Sequence, residues 1–255
     1  MADFPGVIDL SNAHEASCIS GLTSTSGSGV MTPTKDLSAE RMGQQLGFTG
    51  CISQAESFWS RFEESGNRED LDLAISYRQA ALDSCSTDHP DHSTTLPWLA
   101  YLLYMRHDRW GEVDDLERAV MLNRAALESE PEGHPDHSTS LANLANSLRT
   151  RFQHGGRMDD LEEAISMNRT VLELEPEGHP YRPTSLANLA SSLRTRFEHV
   201  GRMDDLEEAI SMNHVALELR PEGHPHHSNS LANLASSLTT RFRHVGRMDD
   251  LEEAI

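Results

Sequence analysis

The stretch GRMDDLEEAISMN occupies residues 156–168 and returns unchanged at 201–213; its first ten residues return again at 246–255. A recurrence this strict marks a repeat protein, so the period is the first quantity to extract. Leu141, Leu186 and Leu231 each open the run LANLA, 45 residues apart, and the same step backwards reaches Leu96 and Cys51. Leu71, Leu116, Leu161, Leu206 and Leu251 keep that step, as do Gly66, Gly111, Gly156, Gly201 and Gly246. The units are therefore 51–95, 96–140, 141–185, 186–230 and a partial 231–255. Units three and four agree at 34 of 45 positions, which points to duplication.

Within a unit the apolar period is helical. Leu141, Leu144, Ala145, Leu148 and Phe152 form one stripe at i, i+3, i+4, i+7 and i+11. Ser138 or Ser140 is the expected N-cap, and Gly156 stands where a left-handed residue closes a helix. The quoted stretch then starts a second helix. Asp159 reads as its N-cap and Glu162 completes a capping box, with the acidic cluster suited to the positive end of the helix dipole. Leu161, Ala164, Ile165, Val171 and Leu172 make its buried stripe; Pro176 and Gly178-His179-Pro180 end it. Each unit is a helical hairpin.

These hairpins resemble tetratricopeptide repeats, through Ala145 in the first helix, Ala164 in the second and Pro176 at its end. The usual unit of that family has about 34 residues; the longer unit here, with LANLA at its start and a GHP loop, resembles the kinesin-light-chain variety. It is closer still to long fungal arrays, which often precede a caspase-like CHAT domain. The resemblance covers 51–255 and implies an all-α fold: an α-solenoid of helical hairpins wound as a right-handed superhelix. The early units depart from the pattern, with Cys51 in place of leucine, Ser86 in place of proline, and WLAYLLYMRHDRW at 98–110. These read as end effects.

Residues 1–48 are rich in Ser, Gly and Thr without lasting period, a composition that predicts disorder. The chain stops where unit five is half written, so a longer parent protein is expected, and an open apolar edge there could pair with another chain.

Composition narrows the function. A net charge of −20 argues against nucleic acid or an anionic membrane as main partner. The N-terminus has no signal-peptide pattern, no apolar run is long enough to span a bilayer, and Cys18, Cys51 and Cys85 lack CxxC spacing. A cytoplasmic or nuclear setting with free thiols follows. His89 and His92, His134 and His137, and His224 and His227 lie in HPxH loops, but Arg182 breaks the pattern and no full ligand set is in register. They read as turn residues, not metal ligands. The repeated carboxylates read as caps. No catalytic motif, cofactor fingerprint or phosphate loop is present, so an enzyme is not expected from these residues.

What remains is a polar column in the first helices. Asn143, Asn188 and Asn233, with Asn146, Arg149, Thr150, Arg194 and Thr195, fall between stripe positions. The family resemblance implies that this side lines a concave groove, where asparagine amides would hold an extended peptide or protein segment. The expected function is a protein–protein interaction scaffold. The rival is a regulatory or sensor arm of a longer protein with a downstream catalytic domain such as CHAT.

Overall fold

The computed structural model describes residues 39–86, 92–130 and 137–254. Among them every regular element is an α-helix: α1 (Ala39–Ser65), α2 (Arg68–Ser84), α3 (His92–Trp110), α4 (Val113–Ser129), α5 (His137–Gly155), α6 (Met158–Leu174), α7 (Arg182–Val200), α8 (Met203–Glu218), α9 (His227–Val245) and α10 (Met248–Glu253). They belong to two compact units, one holding α1–α4 and the other α5–α10.

In the first unit α1 pairs with α2 and α3 with α4, and α2 packs on α3. α1 is not one straight rod. Gly47 breaks its helical geometry at φ 64° and ψ 177°, which frees residues 39–46 to fold back. Met42 and Phe48 then pack on Cys51, Ala80 and Ala81. The helix thus begins ten residues ahead of the expected ordered edge. Expected disorder over 1–48 is corrected for residues 39–48; residues 1–38 lie outside the described residues.

In the second unit α5–α6, α7–α8 and α9–α10 are hairpins, joined through α6 on α7 and α8 on α9. One apolar cluster is built twice. Phe152, Leu161 and Ile165 meet Leu189 and Leu193; one repeat later Phe197, Leu206 and Ile210 meet Leu234 and Leu238. Ala145, Ala164, Ala190 and Ala209 are fully buried, and their small side chains let neighbouring helices approach.

The glycine column closes the first helices as expected. Gly156 sits at φ 68°, Gly201 at φ 77° and Gly246 at φ 74°, and the Gly201 N–H donates to Phe197 O at 2.7 Å. The expected N-caps are corrected. Ser138 and Ser140 lie inside α5, which starts at His137. α6 starts at Met158, with Arg157 at the cap position and no side-chain cap bond, so Asp159 and Glu162 form no capping box. Asn67, before α2, is a true cap: its Oδ1 accepts from Glu69 N at 3.0 Å.

Candidate interaction face

Each hairpin of the second unit contributes its first helix to one face formed by α5, α7 and α9. Asn143, Asn188 and Asn233 occupy the same place on these helices, and all three are buried. Their backbone carbonyls are engaged: Ser147 Oγ donates to Asn143 O at 3.0 Å and Ser192 Oγ to Asn188 O at 3.1 Å. Asn213 Nδ2 donates to Asn233 O at 3.3 Å. The side-chain amides of Asn143 and Asn188 are another matter. Neither oxygen nor nitrogen has a hydrogen-bond partner in either residue. A buried polar group left in that state costs about 1–3 kcal/mol.

The rest of the polar column divides. Asn146, Arg149 and Thr150 are buried on α5. Thr195 is buried on α7 and spends its hydroxyl on its own helix, donating to Ser191 O at 2.8 Å. Arg194 reaches Glu198 at 2.6 Å along the helix surface. The column does not continue into the first unit: Trp98 and Tyr101 stand at the repeat positions of Asn143 and Asn146. There Trp98 is buried under the Arg78 guanidinium, 5.1 Å from its ring centroid. Tyr101 packs edge-on against Trp98 and against Trp59. Burial, with Glu63 nearby, pushes the Tyr101 hydroxyl up to about 12.

The acidic pairs at the second-helix N-termini do more than suit the dipole. Arg151 grips Asp160 with Nε and Nη2 at 2.8 and 2.7 Å. Arg196 repeats the grip on Asp205 and sends Nη1 to Glu162 of the preceding hairpin at 2.6 Å. Arg241 does the same with Asp250 and Glu207; in the first unit Arg106 binds Asp115 and Asp72. Each arginine therefore clamps its own hairpin and, in three cases, ties it to the one before. Hydrogen bonding to Arg241 holds the Asp250 carboxyl below its usual range. Glu207, half-exposed on α8, is part of this clamp. The arginine column was readable as a 45-residue period in RTRF, each arginine nine residues before an aspartate, yet capping explained the same carboxylates. Asn168 Nδ2 to Ser192 Oγ at 3.2 Å and Asn213 Nδ2 to Ser237 Oγ at 3.0 Å add a buried polar tie between hairpins.

The described histidines serve the turns and the packing. His227 Nδ1 lies 2.6 Å from Arg220 O, and His199 and His244 set their rings edge-on to Phe152 and Phe197. Among the described residues no three His, Cys, Asp or Glu side chains gather in a metal-binding group. His89 and His134 lie outside the described residues.

A tetratricopeptide repeat family model matches residues 138–181, which is the α5–α6 hairpin with its closing turn. The other units are copies of this hairpin at the 45-residue step. The α5–α6 hairpin is thus similar to a tetratricopeptide repeat. A solved structure, the nearly identical TPR-like repeats of a proposed kinesin light chain from Podosopora anserina, matches with a TM-score of 0.52 at 18% identity. That match covers 79% of this chain and 92% of the other, and at such identity it shows the fold alone. No curated protein matches. Tetratricopeptide repeats generally mediate protein–protein interaction and are generally non-catalytic. Among the described residues no helix is long and apolar enough to cross a membrane.

Proposed function

We propose that the chain is an interaction scaffold whose α5–α7–α9 face takes an extended peptide or protein segment. The observation that carries this reading is the pair of buried, unbonded amides of Asn143 and Asn188, one repeat apart. Each amide offers one acceptor and a two-proton donor, the complement of a peptide N–H and C=O. Both amides are enclosed, so a segment reaches them by parting the side chains above them, and it then satisfies groups that the free chain leaves unsatisfied. Asn233 holds the equivalent position one repeat further on. Arg149 adds positive charge beside the rungs, favouring acidic residues on the segment despite the negative chain, whereas Arg194 already pairs with Glu198. The proposed setting is the cytosol, where Cys51 and Cys85, which form no disulfide, persist as thiols.

The test is to pan a random linear-peptide library on the full chain and measure the selected binders. Asn188→Ala and Asn143→Ala are expected to weaken binding several-fold each, the equivalent of about 1 kcal/mol per rung, with no loss of thermal stability. Ser211→Ala, on the exposed side of α8, is the control and leaves binding unchanged. Unaltered affinity in both asparagine variants refutes the reading.

A further inference from the structure

The turn between α6 and α7 contains a carboxylate that no part of the clamp or the asparagine column uses. Glu175 is fully buried at 0% exposure, and neither carboxylate oxygen has a hydrogen-bond partner. Its nearest ionisable neighbour is His179, whose Nδ1 lies 3.7 Å from Oε1 and is itself buried and unbonded. The cation beside them is committed elsewhere: Arg182, at the start of α7, gives Nη1 to the main-chain carbonyls of Leu172 and Glu175. Ser185 turns its hydroxyl to Tyr181 O at 3.3 Å and gives the carboxylate only partial help. A buried carboxylate and the enclosed Nδ1 of a half-exposed imidazole thus face each other just beyond hydrogen-bond distance.

We propose that Glu175 and His179 form a proton-operated latch at the junction of two hairpins: one proton from solvent, taken up on acidification, joins the side chains and stiffens the turn. The proton leaves hydronium for a Glu175 carboxyl oxygen, forming one O–H bond, and that O–H donates one hydrogen bond to His179 Nδ1. Burial, the largest influence on Glu175, raises its proton affinity against the smaller opposing effects of Ser185, His179 and Arg182. The ionisable groups that bear on it are therefore His179 from the turn and Arg182 from α7.

The following turn is a built-in control. There Arg220 stands at the position of Glu175 and is already bonded to Ser230 and Thr184, while His224 takes the place of His179. That turn has no buried carboxylate beside its histidine; its Glu222, like Glu177 one repeat earlier, is exposed.

Hydrogen exchange on the full chain, corrected for the intrinsic rate of each amide, tests the latch at pH of about 5 and about 8, either side of the ordinary imidazole range. Protection across 175–185 is expected to rise several-fold at the lower pH, with no matching rise across 220–230. Glu175→Gln, neutral and able to donate to Nδ1, is expected to hold the protected state at both pH values. Equal changes in both turns, or a Glu175→Gln chain that responds like the parent, overturns the proposal. If that variant does not fold, ring-nitrogen NMR of the parent decides: Nδ1 of His179 must gain a hydrogen-bond signature on acidification, and its absence overturns the latch.

Discussion

Replacing Arg196 by methionine should be among the most damaging single changes available to the second unit. The guanidinium makes three charge-assisted bonds, two to Asp205 at 2.8 and 2.7 Å and one to Glu162 at 2.6 Å. The two carboxylates are not equivalent. The Glu162 side chain is 50% exposed and rehydrates when released, whereas that of Asp205 is 7% exposed and cannot. The loss is therefore dominated by one uncompensated buried charge, about 3–5 kcal/mol, with well under 1 kcal/mol from the solvent-facing pair. Native domains hold about 5–15 kcal/mol in total, so the melting curve should move visibly or split as the α7–α8 hairpin opens ahead of its neighbours. The double variant Arg196→Met with Asp205→Leu removes the stranded charge and fills the site with apolar volume. It should recover most of the loss, because an apolar replacement of a whole buried pair is often close to neutral. Circular dichroism melts and urea titrations of the parent, the single and the double variant measure this directly. A single variant that loses less than about 1 kcal/mol, or a double no better than the single, refutes the account of the clamp.

Two further outcomes follow from the same geometry. Gly201→Ala should cost about 1 kcal/mol through its dihedral alone, since φ is +77° and an added Cβ meets nothing within 4 Å; Gly155→Ala, on α5 with open space and no positive φ, should be neutral or stabilising in the same melts. Acid titration should separate two carboxylates of opposite sense. Asp250, lowered from 3.8 by Arg241, contributes stability that is present above that value and lost as pH falls through its folded pKa. Glu175, raised from 4.5 by burial, weakens the fold as pH rises above its unfolded value, so Glu175→Gln should stabilise at neutral pH and change nothing well below 4.5. A stabilisation that persists unchanged at low pH would sink this assignment.

The hairpins were legible in the sequence because the evidence for them is local. A stripe at Leu141, Leu144, Leu148 and Phe152 needs only the helical period, and the left-handed close at Gly156 needs only the chirality of its neighbours. Copying both at a fixed step gives the stacking order without knowledge of any contact. The polar residues were less legible, since their meaning depends on what lies across from them. Asp159 and Asp160 are adjacent, acidic and equally suited to a helix start, yet Asp160 turns inward beside Leu161 and meets Arg151 while Asp159 stays outside. Nothing in one strand of text distinguishes the two. Asn143 misleads in the other direction. Between stripe positions it reads as surface, but a first helix flanked by other helices buries its flanks too, and the amide ends up enclosed.

Enclosure makes it possible to sort the repeated polar residues by what they return to the fold. Arg196 with Asp205 is buried and bonded and repays its desolvation inside the chain, while Asn168 is half satisfied, its Nδ2 bonded to Ser192 and its Oδ1 unbonded. Asn143 and Asn188 are buried and unbonded, and a leucine or alanine of similar placement would be cheaper. A destabilising group in a single repeat is an accident of packing. The same group in two consecutive hairpins, at the same position and in the same unsatisfied state, is a standing cost that packing does not explain. On the proposed reading, a partner backbone laid along α5 and α7 would remove that cost at both sites at once. The stability of the free chain and its affinity for such a segment are then coupled through the same two side chains: truncating either amide should trade one for the other.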